Sequence, residues 1–343
     1  MTSNRRDVLE LVGVTATIAT AGAAVPGIAT ARAVVDDDHP SDELPTYGRW
    51  LTLDDGWVDF AYVDWTTLET YVEDELEEAG AAEDTEVPPE LEADPMIAIP
   101  SDGLLGLYLS AGFELAQYGL GGVLDADEFE SSVEKLLRVN DALVVAGSME
   151  PEEIGDRLTA EPEATFVTQL ERTDEIAGYD VFTPVEDDVD EAVAVASDAI
   201  VIGGGEDGEQ AATRAILERT IAAAGGDDRA TDESEPVRWL VATAGHGDVA
   251  VGQYNDPAAD EPAARPDEDR GLVDPAFEEL TDADGLVASL TVEDESTSTG
   301  SFAAIVDEPD AELEALLGAS ADERSVEIDD DRVTATATWR ELD

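Results

Sequence analysis

The sequence predicts an α+β fold, mostly antiparallel sheet with helices packed on one face. Three observations carry this. Short apolar runs and helical patterns follow one another in mixed order, not in strict strand–helix alternation. Apolar runs flank tight turns at Ser197-Asp198 and Asp329-Asp330-Asp331, which marks hairpins. A unit of strand, capped helix and hairpin begins near residues 59, 143 and 302, at spacings of 84 and 159, which suggests repeated units.

The elements follow in order. Trp57 to Val63 alternates and reads as a strand. Asp64 or Thr66 caps a helix over Thr67 to Ala79, with Leu68, Val72 and Leu76 at four-residue steps. Residues 81–95 form an acidic, Pro-containing loop. Leu104 to Leu124 is the most apolar stretch after the leader, and its polar Ser110, Glu114 and Gln117 form one helical stripe. A buried helix is expected, with a membrane-inserted hairpin as the sharper alternative. Phe129, Val133, Leu136 and Leu137 mark another helix.

Ala142 to Gly147 is a strand, and Ser148 or Glu150-Pro151 opens a helix carrying Ile154 and Leu158. Thr165 to Leu170 and Tyr179 to Thr183 flank an Ala177-Gly178 turn. Ala192 to Ala196 and Ala199 to Ile202 form a hairpin. Glu209 to Ala224 is a helix closed by Gly225-Gly226. Val237 to Ala244 and Asp248 to Tyr254 read as a hairpin around Gly245-His246-Gly247. Leu286 to Val292 and Ser301 to Val306 read as strands across a Ser/Thr/Gly loop. Pro309-Asp310 opens a helix through Leu313, Leu316 and Leu317. Ser325 to Ile328 and Val333 to Trp339 close the chain as a hairpin.

The charge narrows the function classes. The 84 acids and 17 bases of this 343-residue chain leave a net charge of −67. Phosphate neutralisation needs cations, so nucleic acid is excluded as a partner. An anionic membrane surface is excluded by the same sign. With 0 cysteines, disulfides, thiolate catalysis and Cys-zinc sites are impossible. Leu, Ile, Val and Phe make up about 24% of the chain, above the ~20% that marks disorder, so a folded protein with acidic loops is expected. Lys135 is the only lysine. An acidic chain nearly stripped of Lys suits molar salt, where a Debye length of ~3 Å screens acid–acid repulsion.

The N-terminus reads as an address. Asn4-Arg5-Arg6 precedes Asp7-Val8-Leu9, and Arg5 and Arg6 resemble the pair of a twin-arginine export signal. No charge lies between Leu11 and Ala31. Cleavage is expected after Ala33, at the small-x-small sequence Ala31-Arg32-Ala33. If the segment is retained, it is a membrane anchor. The expected organisation is a signal over 1–33, an acidic linker over 34–48, an α+β domain over 49–230 and a second α+β domain over 231–343.

The chain resembles a group of haloarchaeal exported proteins of unknown function that carry twin-arginine signals. The resemblance rests on Asn4-Arg5-Arg6, Ala142 to Gly147, Gly178-Tyr179-Asp180-Val181-Phe182, and Ala192 to Ile202. It implies export of a folded protein and brings no activity or cofactor with it.

Chemical motifs are few. Gly203-Gly204-Gly205-Glu206-Asp207-Gly208 has the letters of a dinucleotide loop, but Glu206 and Asp207 stand where the pyrophosphate would arrive. It reads as a glycine-rich turn. His39 lies among aspartates. His246, in Gly245-His246-Gly247-Asp248, is the one position resembling a base, and no G-x-S-x-G nucleophile elbow accompanies it. Calcium would suit Asp125-Ala126-Asp127-Glu128, Asp282-Ala283-Asp284-Gly285 or Asp329-Asp330-Asp331, yet none fits the loop register of a calcium-binding hand. No catalytic, cofactor-binding or metal residue is assigned. The expectation is an exported, extracellular or surface-associated binding or interaction module. The alternatives are a secreted hydrolase using carboxylates or His246, and a solute-binding protein.

Overall fold

A computed structural model describes residues 43–68, 93–125, 128–162, 164–185, 191–204, 210–255, 277–281, 283–294, 296–309 and 311–340. The signal segment, His39, most of the helix expected over Thr67 to Ala79, and residues 205–208 of the glycine loop lie outside them. Twelve strands form one sheet in which every neighbouring pair is antiparallel. They are β1 (Val58–Asp64), β2 (Ser132–Val139), β3 (Ala142–Ser148), β4 (Leu170–Ile176), β5 (Tyr179–Pro184), β6 (Glu191–Val195), β7 (Ala199–Gly204), β8 (Val249–Tyr254), β9 (Ala283–Asp294), β10 (Thr297–Val306), β11 (Glu323–Asp329) and β12 (Arg332–Arg340). The order across the sheet is β11-β12-β10-β9-β8-β1-β2-β3-β7-β6-β5-β4. The helices are α1 (Pro95–Gln117), α2 (Pro151–Thr159), α3 (Gln210–Gly225), α4 (Ala230–Glu233), α5 (Glu235–Ala244) and α6 (Ala311–Leu316).

The mixed, antiparallel α+β architecture is as expected, but the placement of helices on one face is corrected. Helices cover both faces. Along β1, Ala61 and Val63 join α1, α2 and α6 in one core, while Phe60 and Tyr62 join α3, α4 and α5 in the other. Successive side chains of a strand point to opposite faces. A strand packed on both sides therefore reads as a continuous apolar run, which by itself does not say how many faces are covered.

The same fact explains the largest misreading. Val133, Leu136 and Leu137 are spaced like a helical stripe, yet they lie in β2. Leu136 serves one core and its neighbour Leu137 the other. The reverse happens at α5, expected as a strand. Ser234 Oγ accepts the Val237 N–H at 3.3 Å, Pro236 sits in the first turn, and Val237, Leu240, Val241 and Ala244 share one buried face. Smaller corrections concern lengths. The strand before Ala177-Gly178 is β4 over Leu170–Ile176, beyond the expected Thr165 to Leu170. The Ser/Thr/Gly segment belongs to β10.

α1 begins at Pro95, well before the expected Leu104 and inside what reads as loop. Asp94 caps it, and Pro95 occupies the first turn, where a missing N–H costs nothing. The helix crosses β10, β9, β8, β1 and β2 as a strap. Its 23 residues, at ~1.5 Å each, reach across several strands spaced ~4.8 Å apart. Both ends are tied by buried polar groups. The Asp94 carboxylate, fully buried, accepts from the backbone N–H groups of Met96, Gly318 and Ser320 and from Ser320 Oγ. At the far end, Glu191 on β6 accepts from Gln117 Nε2 at 2.8 Å and from the Tyr118 hydroxyl at 2.5 Å. Burial, and then Glu191, push the Tyr118 phenol far above its ordinary value.

The polar stripe of α1 is only partly exposed. Glu114 pairs with Arg138 of β2, and Leu105, Leu109 and Phe113 are exposed instead. The helix is long and apolar enough to cross a membrane by length and composition, and 50% of its most apolar window is buried inside the molecule.

The sheet runs on through the boundary expected at 230/231, because β1 pairs with β8 over six residues. The end of the expected linker is also packed. Tyr47 and Trp50, in a 3-10 turn over Thr46–Trp50, are each 3% exposed. The outermost strands, β4 and β11, expose nearly every residue and are rich in Glu and Asp. Charge on an open edge discourages pairing with another sheet.

About the β1·β8 pair, the strands take one order on each side: β1-β2-β3-β7-β6 and β8-β9-β10-β12-β11. A single row of paired residues makes the correspondence explicit. From Ala61 it runs through Arg138, Leu143 and Ile202 to Val193. From Val251, the partner of Ala61, it runs through Ala288, Phe302 and Ala335 to Val326. Leu143 thus stands opposite Phe302, the two positions 159 apart in the sequence. The hairpin β4–β5 has no counterpart, and β1 corresponds to β8 instead of opening a unit like the one near residue 143.

Candidate functional site

Two cavities open at the end of the sheet where β1 stops and β2 begins. One has a volume of about 590 Å³ and is lined on the α1 face by Asp64 to Thr67, Val123, Leu124 and Ser132 to Lys135. The other, about 500 Å³, lies on the opposite face between the 3-10 turn and the sheet. Its lining includes Tyr47, Arg49, Trp50, Tyr62, Leu137, Val144, Ala146 and Asp198. Glu134 and Lys135 line both. These volumes fall within the ~300–1,000 Å³ of ligand pockets.

The strand register builds the second cavity. Asp64, Lys135 and Ala146 form one cross-strand row, and Tyr62, Leu137 and Val144 form the next. The second row supplies an apolar floor. The 3-10 turn supplies a wall, held by two contacts of Tyr47. Tyr47 stacks on Tyr62 at 4.3 Å between centroids, and its hydroxyl donates to the Gly245 carbonyl at 3.0 Å. Gly245 is required there, since a Cβ would lie 2.6 Å from that hydroxyl oxygen. Burial raises the Tyr47 phenol well above its usual value.

The polar groups divide into those already engaged and those left over. Arg49 lies over the Trp50 ring at 4.8 Å and reaches Asp198 Oδ2 at 3.3 Å. Asp198 also accepts from the Tyr179 hydroxyl at 3.0 Å. Asp64, the cross-strand partner of Lys135, accepts the Thr67 N–H at 3.3 Å. Among the described residues, Lys135 makes no ion pair or side-chain hydrogen bond. The Tyr62 hydroxyl makes none either, although Tyr62 is 4% exposed. Burial, and then the charges of Asp64 and Asp248, push the Tyr62 phenol up, so it remains a neutral donor.

The positions singled out in the sequence lie elsewhere. His246 is exposed at the corner between α5 and β8, with Nε2 2.8 Å from the Glu43 carbonyl oxygen. Asp248 is buried and accepts the Val292 N–H at 2.9 Å. Asp329-Asp330-Asp331 forms the β11–β12 turn, with Asp330 at a positive φ of 56°. Among the described residues, no three acidic or histidine side chains converge as metal ligands. Gly203 ends on β7 against Leu217 of α3. The sequence did hold one signal for the cavities, its single lysine; nothing in the local pattern placed Tyr62, Arg49 or Trp50 beside it.

A scan against family models and searches of curated proteins and of solved structures find no match to this chain.

Proposed function

We propose that this chain is an exported, salt-adapted binding protein that takes up a ligand outside the cytoplasm in the cavity beside Lys135. One observation carries the reading. In a chain with 84 acids, the only lysine is left without an ion pair, at a cavity that the hydroxyl-bearing side chain of Tyr62, itself without a hydrogen-bond partner, also lines. Both groups reach the cavity with donors to spare, and a ligand would supply their acceptors. The twin-arginine sequence at Arg5 and Arg6 supports export, and the scarcity of lysine supports life in molar salt. The common strand order of the two halves, and the 159-residue step from Leu143 to Phe302, support descent from one duplicated unit.

The test has two parts. Mass spectrometry of the native protein should give a mature N-terminus at Val34 in the medium. A thermal-shift screen of small solutes in about 3 M KCl should raise the melting point of wild-type protein by mass action. The same rise for a variant with the cavity filled, Ala146→Leu, would refute the cavity as the site. Turnover of any substrate that disappears in His246→Ala would replace binding with hydrolysis.

A further inference from the structure

We infer, resting on that binding reading, that the Lys135 cavity takes a small organic carboxylate with an apolar body. The two unpartnered groups are both donors, the Lys135 ammonium and the Tyr62 hydroxyl. They stand on the same sheet face in adjacent cross-strand rows, Asp64–Lys135 and Tyr62–Leu137. Diagonal neighbours of this kind lie within reach of long and aromatic side chains. Two donors on one wall match an acceptor with two oxygens. The cavity's other cation, Arg49, already faces Asp198, so Lys135 carries the available positive charge.

Thr46, Glu134 and Asp198 also line the cavity, Asp198 being engaged by Arg49 and Tyr179, and the remaining wall is largely apolar. Trp50, Leu137 and Val144 are buried and offer flat and branched surface to a hydrocarbon or aromatic body. A phosphate would ask for more donors than this wall presents and would gain nothing from that floor. A cation would meet Lys135. A neutral body of the same shape would leave the ammonium unpaired, which is costly once water is displaced.

The experiment uses the mature chain in about 3 M KCl, near neutral pH, so that it stays folded. Isothermal titration is run with benzoate, indole-3-acetate and 4-methylpentanoate. Acetate, phenyl phosphate, benzyl alcohol and benzylamine serve as comparisons. At least one of the three apolar carboxylates is expected to bind more tightly than every comparison compound. Lys135→Gln is expected to weaken that binding about tenfold or more, and Tyr62→Phe by a smaller factor, through loss of a charged and a neutral hydrogen bond. Lys135→Arg should retain part of it. Ala146→Leu should abolish it. Binding that is indifferent to Lys135→Gln, or stronger for phenyl phosphate or benzylamine, overturns the ligand class. If the carboxylates fail while another solute raises the melting point of wild type but not of Ala146→Leu, the class falls and the binding reading stands. If no solute does so, both fall.

Discussion

In the second half of the sheet, α5 packs on β9 and β10 over Gly285, Val287 and Ala303. A Cβ on Gly285 would come within 3.0 Å of the Leu240 side chain of α5 and within 2.8 Å of Tyr254. The corresponding positions in the first half are Lys135, Leu137 and Val144. Gly252 likewise stands where the first half has Tyr62. Small side chains let a helix press onto the sheet and close one half. Larger ones hold a short 3-10 turn above the other half, and the space between becomes the cavity. Each cover carries a tryptophan beneath an arginine, Trp50 under Arg49 of the same turn and Trp239 under Arg332 of β12. Two regions of one strand order thus differ, one closed by a helix and one left open over a cavity.

The widest test acts on both halves together. Lowering KCl from about 3 M to about 0.1 M lengthens the screening distance from ~3 Å to ~10 Å, and self-repulsion of the −67 charge should sharply lower the melting point. Circular dichroism and melting that do not change between these salts would contradict it. Next in size is Asp94→Ala. It strips the acceptor from three backbone N–H groups and Ser320 Oγ where the strap meets the closed half. Urea unfolding at high salt should show a loss of about 3 kcal/mol or more.

Gly285→Leu breaks the closed half directly. Crowding Leu240 and Tyr254 should cost about 1–3 kcal/mol by the same assay, and retention of full stability would mean α5 is not seated on that glycine. Lys135→Gln, at the corresponding position of the open half, should change stability by less than ~0.5 kcal/mol. A large loss there would assign Lys135 to the fold and not to a ligand.

The smallest effect concerns how α2, the counterpart of α6, is held. Glu153 accepts from the Glu130 and Ser131 N–H groups, at 3.0 and 3.1 Å, and from Ser131 Oγ. Those N–H groups, Glu130 first, hold its carboxyl below the usual carboxylate range. A depressed folded value contributes stability above the unfolded one, lost as pH falls through the folded value. Melting points followed from about pH 5 to about pH 3 should fall less steeply for Glu153→Gln than for wild type. Parallel curves would show that the Glu153 contact does not titrate with folding.

How much of this was legible beforehand depends on what each element asks of its neighbours. The β6–β7 and β11–β12 hairpins, α2, α3 and α6 could be placed from turns, caps and periodicity, which are local. β2 and α5 were exchanged in type. Leu136-Leu137 look helical unless two faces are known to be covered, and the Ser234–Pro236 start of α5 was outweighed by its apolar run. The start of α1 was hidden because Pro95 read as the end of a loop. Of the candidate site, only the uniqueness of Lys135 could be seen.

By itself the sequence determined the charge, the absence of thiol chemistry and the α+β class, since these depend on composition and short-range pattern. Only the tertiary structure decided that both faces are covered, that β1 and β8 join two like-ordered halves, and that Lys135 and Tyr62 meet at one opening. Each of these depends on pairing between residues far apart in the chain. Such pairing is set by register and by which face a side chain takes, and a shift of one residue in β2 would carry Lys135 to the other face.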